Sequence, residues 1–250
     1  MSAYASFAPY YDSLMRGVGY AERADYLCAL WERFGHMPGL TLDLACGTGS
    51  LTIALAGRGI DIYGIDGDPA MLSEAMQKAD AAGLSLLFLC QKMQELDLYG
   101  TVDTVICTLD GLNHLSGERD LRKTLERVSL FMNPGGYFVF DMNTVYKHRE
   151  VLGNNTFVYD TEEVFCVWQN ARNADSDRVS ITLDFFEKEA GNCYRRSGTH
   201  FYERAYPQET LVALLEDAGF TVRGIFEDLT FEPPGPQCER IVVAAQKQEE

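Results

Sequence analysis

The sequence predicts an α/β protein: a doubly wound, mostly parallel seven-stranded sheet preceded by helices and carrying a small antiparallel β insertion before its last helix. Three observations predict it. From residue 37 short apolar runs alternate with amphipathic stretches, a glycine-rich turn joins the first run to the stretch behind it, and between about 150 and 206 the pattern changes to a period of two.

The alternation reads TLDLA then LTIALAGRG, IDIYGID then PAMLSEAMQKADAAG, LSLLFLC, VDTVICTLD then ERDLRKTLERVSLFM, and GGYFVFDMN. Leu121, Leu125 and Val128, with Phe131 or Met132, recur at helical spacing, and Gly83 and the Asn133, Pro134, Gly135 cluster supply helix ends. Repeated β-α units force parallel strands with right-handed crossovers, because each helix must pack back onto the sheet. The span 150–206 holds TFVYDTEEVFCVWQN, RVSITLDFFEKE and NCYRRSGTHFYERAY, separated by polar turns, and is read as an antiparallel insertion. The sheet resumes at 207–250: PQETLVALLEDAGF is a helix opening at Pro207 and ending at Gly219, followed by antiparallel edge strands in TVRGIFEDLTF and ERIVVAAQ. At the front, Phe7, Tyr10, Tyr11, Leu14 and Met15, then Tyr26, Leu27, Leu30 and Trp31, predict two helices within residues 1–36, so the sheet domain comprises 37–149 and 207–250.

Composition narrows the function. A chain of 250 residues, 46% apolar, can bury one full core. Its net charge of −16 would repel a phosphate backbone, which argues against nucleic acid as partner. No apolar run reaches a membrane span and the start lacks a signal-peptide pattern, so a cytoplasmic protein is expected. Seven scattered cysteines without paired spacing are read as reduced core thiols, with no metal site.

In doubly wound sheets ligands bind at the carboxyl ends of the strands. These are Asp43 to Gly49, Asp66, Gln91 to Met93, Cys107 to His114, and Asp141 to Asn143. Gly47 and Gly49 sit where the first strand turns into its helix and let the backbone approach a ligand closely. From Gly47 the text is G-T-G-S-L-T, with Thr52 where a dinucleotide fingerprint has its third glycine. Asp43, just ahead of the turn, would repel a pyrophosphate but could accept from an ammonium or orient the turn's amides. The pattern favours a nucleotide-like cofactor without phosphates.

In these features the chain resembles the class I S-adenosylmethionine-dependent methyltransferases, whose Rossmann-like fold opens on an acid followed by G-x-G-x-G. Here the motif runs Asp43, Leu44, Ala45, Cys46, Gly47, Thr48, Gly49, with Ala45 at the first glycine. The resemblance implies S-adenosylmethionine as cofactor, S-adenosylhomocysteine as product and no metal. It implies that Asp66 accepts the ribose hydroxyls, that Gly67 and Met71 lie against the adenine, and that FLCQKMQEL reads the adenine amino group. There Lys92 replaces the usual acid and cannot accept a hydrogen bond, so backbone near Met93 is expected to do so. Cys46 and Cys107 complete the expected cofactor contacts with Tyr11, a candidate lid residue of the N-terminal helices, and Arg16, a partner for the cofactor carboxylate.

A small-molecule acceptor with a nitrogen or oxygen nucleophile is expected. An oxygen acceptor profits from a general base, and the candidate catalytic residues are His114, Asp141 and Asn143; His114 could equally be a histidine bonded to loop backbone. Asp110 and Asn113 follow the fourth strand and are expected to contact substrate. Trp168, His200, Arg204 and Tyr206, with Tyr202, could form an aromatic and cationic substrate cluster, or the insertion could form a homodimer seam. Two other readings stay open: a non-catalytic module that binds S-adenosylmethionine or S-adenosylhomocysteine, and an NAD-dependent oxidoreductase, against which Thr52 and Asp43 argue.

Overall fold

The protein is represented by a computed structural model that describes residues 7–15, 17–115, 117–162, 164–172, 177–189, 191 and 193–249. Its elements follow the predicted alternation: α1 (Ala8–Leu14), α2 (Tyr20–Arg33), β1 (Thr41–Leu44), α3 (Ser50–Ala56), β2 (Ile62–Asp66), α4 (Pro69–Ala81), β3 (Phe88–Cys90), β4 (Val102–Cys107), α5 (Glu118–Leu130) and β5 (Met132–Asn143). The insertion carries β6 (Thr156–Asp160), β7 (Val164–Arg172), β8 (Arg178–Lys188) and β9 (Tyr194–Arg204), and α6 (Gln208–Asp217), β10 (Phe220–Glu227) and β11 (Arg240–Lys247) close the chain. Arg16 lies outside the described residues.

The seven strands pair in the order β3-β2-β1-β4-β5-β11-β10. The order reverses between β1 and β4, which opens a crevice at the carboxyl ends of those strands. The closing strands differ from expectation: β11 is antiparallel to both β5 and β10, so β10 at the edge runs with β1 to β5 and only β11 is reversed. The run LSLLFLC also yields less strand than predicted. Only Phe88–Cys90 pairs, with Gly64–Asp66, and Leu87 at this edge is 56% exposed.

Each face of the sheet buries its own core. Phe138 and Phe140 point to the side where Leu121, Leu125 and Val128 of α5 and Leu211, Leu214 and Leu215 of α6 pack. Val139, one residue along, points to the side of Leu27, Leu30 and Trp31 of α2 and Leu51 and Leu55 of α3. This is the strict alternation of a strand buried on both faces.

The insertion is a four-stranded antiparallel sheet in the order β6-β7-β8-β9. TFVYDTEEVFCVWQN, one run in the sequence, is two strands, because Thr161 folds it back: its hydroxyl donates to Val164 O at 2.8 Å and accepts from Val164 N at 3.0 Å. The inner face of this sheet covers a third core in which Phe185 stacks on Phe7 at 5.5 Å and reaches Tyr10 at 6.2 Å, with Met71 of α4 in the same cluster. Of the cysteines, Cys107, Cys166 and Cys238 are buried as expected, whereas Cys90 and Cys193 are exposed; all seven are free thiols.

Helix α1, only seven residues long, cannot hold itself in water and depends on this packing. Phe185→Ala is therefore expected to cost about 3 to 5 kcal/mol in equilibrium denaturation and to open α1 to limited proteolysis; a variant within 1 kcal/mol of the parent, with α1 still protected, contradicts the packing.

Candidate active site

The crevice contains a cavity of about 290 Å³ lined by residues from α1, α2, the turns after β1 and β2, the segment after β3 and the segment after β4. Of the residues expected to touch a cofactor, Tyr11, Asp43, Ala45, Cys46, Gly47, Asp66, Gly67, Met71, Lys92 and Met93 all line it, and so does His114.

The turn after β1 is built by backbone conformation. Ala45, Gly47 and Gly49 have φ of 62°, 55° and 72°. Gly47 faces open space, since a Cβ there would meet nothing within 4 Å. Gly49 is different and does not line the cavity: a Cβ would come within 2.9 Å of Ala75 Cβ and 3.2 Å of the Phe88 ring, so its role is close packing of α3 onto α4 and β3. Ala45 keeps a side chain in the left-handed region, a conformation that costs about 1 to 2 kcal/mol and that the surrounding turn enforces.

Two carboxylates hold this turn. Asp66 accepts from Gly47 N at 2.9 Å with one oxygen and from Asp68 N at 2.8 Å with the other. Burial raises its pKa, and these two amides pull it back. Asp43 lies beneath the turn, 2% exposed, and accepts from the Thr52 hydroxyl at 2.6 Å. Thr52, in the place of a third glycine, is thus the polar partner of the first acid. Burial, with a smaller push from Asp66, raises the Asp43 carboxyl to about 7.

Sequence reasoning missed Asp12. Its carboxylate accepts from Thr48 Oγ1 at 2.9 Å and Ser50 Oγ at 3.1 Å and pairs with Lys78 of α4, which ties α1 to the cofactor turn. Tyr11, next to it, lines the cavity with its ring edge-on to Phe7 at 5.1 Å, and burial pushes its hydroxyl well up. Tyr20 of α2 joins the lining, and no local pattern marks it.

The segment after β4 forms a strap in which Leu109 and Asp110, consecutive non-glycine residues, have φ of 56° and 57°. Asp141, proposed from the sequence as a base, does not line the cavity. Its carboxylate accepts from Leu109 N at 2.7 Å and Asp110 N at 2.8 Å, and it pairs with Arg23 at 3.3 Å and with Arg240. Burial would raise its pKa, but Arg240, Arg23 and the two amides hold it below the usual carboxylate range, which leaves it a poor proton acceptor. Arg240 also pairs with Asp110 at 2.5 Å, and Arg23 with Asp228 at 2.9 Å. Thr108, Leu109 and Gly111 of the strap line the cavity, whereas Asp110 does not.

Other expected contacts fall away from the cavity lining. Cys107 is fully buried behind the strap, where its sulfur leaves no room for a Cβ on Gly111. Asn113 is a buried staple: Oδ1 accepts from Asn143 N at 2.9 Å, and Nδ2 donates to the carbonyls of Asn143 at 3.2 Å and Arg204 at 2.9 Å. Asn143 in turn points its amide at Glu203 Oε2, 3.4 Å away. The aromatic and cationic residues of the insertion do not gather into one cluster. Trp168 donates to Asn170 Oδ1 at 2.7 Å and packs with the third core, while His200 pairs with Ser180 at 2.8 Å on the opposite, outward face beside Tyr202. The Arg204 guanidinium lies 4.8 Å from the Tyr206 ring centre, and the Tyr206 hydroxyl donates to Leu115 O at 2.9 Å.

His114 does line the cavity, and β9 supplies its unpredicted neighbours. Its Nε2 lies 3.9 Å from Glu203 Oε1 and 4.0 Å from Asp110 Oδ2, and its ring is 5.1 Å from that of Phe201. Donor atoms of Asp110, His114 and Glu203 fall within 4.8 Å of one another, close enough in principle for a metal ion. The Arg240 guanidinium already on Asp110 works against a second cation there.

Residues 41–136 match the family described as Methyltransferase domain. YqeM of Bacillus subtilis (strain 168) is 33% identical over 98% of this chain and 97% of its own length. A solved S-adenosylmethionine-dependent methyltransferase from Clostridium acetobutylicum ATCC 824 is 32% identical, with a TM-score of 0.88 over 99% of this chain and 100% of that one. The chain belongs to the class I S-adenosylmethionine-dependent methyltransferases, and the oxidoreductase reading is set aside. The sugar N-methyltransferase KedS8 from Streptoalloteichus sp ATCC 53650, 22% identical with a TM-score of 0.74, covering 96% of this chain and 93% of that one, shares the fold. No helix of the described residues is long and apolar enough to cross a membrane.

The Asp43 carboxyl keeps its proton to about pH 7 in the fold, whereas an exposed aspartate loses it near pH 3.9. The folded chain therefore holds the extra proton across that window, and stability falls as pH rises from about 4 to 7. Asp43→Asn removes this slope. Comparing denaturation at pH 5 and pH 8, the variant is expected to gain on the parent at the higher pH by up to about 3 kcal/mol; the same difference at both pH values contradicts the assignment.

Proposed function

We propose that this cavity binds S-adenosylmethionine with its ribose on Asp66, and that the enzyme transfers the methyl group to a nitrogen or oxygen of a small-molecule acceptor, with His114 as the proton acceptor. The observation that carries the reading is that Asp66, the open Gly47 turn and His114 line one cavity.

The residues present fit the cofactor. Each Asp66 oxygen accepts one backbone amide and has a further lone pair for a ribose hydroxyl. Gly47 leaves space where the ligand must approach, and Met71, 4% exposed, offers a polarizable thioether to a flat ring. Lys92 lines the cavity without an acceptor atom, so adenine is read by backbone around Met93. When bound, S-adenosylmethionine supplies an electrophilic methyl group on a positively charged sulfur. The chain must then align the acceptor and exclude water. Tyr11, Tyr20, Leu51 and Leu115 close the cavity with rings and apolar groups, and His114 sits where a proton leaving the acceptor can be taken.

Asp66→Ala is expected to weaken S-adenosylmethionine by about 1 to 3 kcal/mol, roughly 5- to 150-fold in Kd, since the ribose hydroxyls lose a charged acceptor. Calorimetry with S-adenosylmethionine, S-adenosylhomocysteine and NAD checks it. An unchanged dissociation constant refutes the role of Asp66, and tight NAD binding with no response to either sulfur compound refutes the proposal as a whole.

A further inference from the structure

We infer that the outward face of the β insertion is where a second copy of this chain docks, related to the first by a twofold axis that runs along the strands between β7 and β8. The inference is independent of the cofactor and of the role of His114.

The two faces of the insertion differ in what covers them. The inner face, with Ile181, Leu183 and Phe185, packs in the third core against α1. The outer face leaves large apolar side chains to solvent: Val158 is 57% exposed, Phe165 37%, Tyr202 47% and Tyr194 59%. Phe165 meets Phe186 edge-on there, with ring centres 6.2 Å apart, and the Arg196 guanidinium lies 5.9 Å from the centre of the Phe186 ring. Exposed apolar surface gathered on one face marks a place where a partner binds.

The order of residues across this face selects the partner. The register sets Asp160 opposite Phe165, Phe165 opposite Phe186, and Phe186 opposite Arg196. One row across β6, β7, β8 and β9 therefore reads acid, aromatic, aromatic, base. A twofold axis along the strands turns this row over onto its own reverse. Asp160 then meets Arg196 of the partner subunit, and Phe165 meets Phe186 of the partner subunit, each contact made twice as an isologous interface requires.

The next outward row is Val158, Val167, Asp184 and Gly198. Turned over in the same way, it seats Val158 above Gly198 of the partner subunit, where the missing side chain leaves a dent. Asp184 already pairs with Arg196 of its own chain at 2.8 Å, so Arg196 bridges two carboxylates, one from each copy. Stacked twisted sheets keep their strands within about 30° of one another, which this axis allows. At about 4.8 Å per strand the face is about 19 Å wide, and its longer strands run about 35 Å. Covering it in both copies buries on the order of 1,200 Å², the low end of what a stable specific pair uses. A foreign partner of either charge matches one end of the acid-to-base row, whereas a second copy matches both.

Sedimentation equilibrium of the full chain tests this without any ligand. The parent is expected at twice the 28.0 kDa of one chain. Asp160→Arg sets base against base across the axis and Arg196→Glu sets acid against acid, and each is expected to raise the dimer Kd at least about tenfold. Mixing the two variants pairs the new base with the new acid and leaves the original pair on the other side, so the mixture is expected to regain a Kd close to that of the parent. Both positions are exposed, and circular dichroism checks that each variant folds. Should Arg196→Glu not fold, Phe165→Glu takes its place, with the same loss of dimer expected and no rescue by mixing. A parent that stays monomeric at about 100 μM overturns the inference. So does a dimer that these substitutions leave unweakened, and so does a mixture of Asp160→Arg and Arg196→Glu that fails to reassociate.

Discussion

The site depends on one buried carboxylate, that of Asp141 at the end of the central strand β5. It accepts the amides of two consecutive residues in left-handed conformation and is gripped by two guanidiniums. Each of these features would be costly alone. A non-glycine residue at positive φ costs about 1 to 3 kcal/mol, and a buried charge costs several more unless it is paired. Together they offset one another: the strained strap presents two amides that a carboxylate can bind, and the carboxylate gives Arg23 and Arg240 a partner. The result is a wall of the cavity made of backbone that cannot collapse into it.

The opposite wall follows the same logic on a smaller scale. Asp66 holds the glycine turn open through Gly47 N and has lone pairs to spare for a ligand. The β insertion stands behind the lining. By pairing across its inner face it delivers Phe201 and Glu203 to His114, and by covering Phe7 it seats α1, whose Asp12 reaches back to Thr48 and Ser50. The insertion thus packs behind His114 and over α1.

How much of this was legible in the sequence depended on distance along the chain. The glycine turn, Asp43 and Asp66 belong to one β-α-β unit, and their positions follow from the alternation of runs, so both the fold and this part of the cavity lining could be read. The roles of Asp141, Asn143 and Asn113 could not. Being at a strand end gives a residue its place but not its partner, and the partner of Asp141 on α2 is 118 residues away. Likewise His200 and Trp168 look alike in the text of the insertion; only the register, with His200 opposite Thr182 and Trp168 opposite Leu183, separates the outward face from the packed one. Glu203 carried no signal at all, since a glutamate in HFYERAY reads as a solvated strand residue until β9 is folded against the strap.

The claim that the strap is held by Asp141 is tested most directly by amide hydrogen exchange in the protein without cofactor. The account predicts that the Leu109 and Asp110 amides, although they lie in a connecting segment, exchange as slowly as the paired amides of β5, because both donate to a carboxylate 1% exposed. Exchange at the rate of an open loop would contradict it.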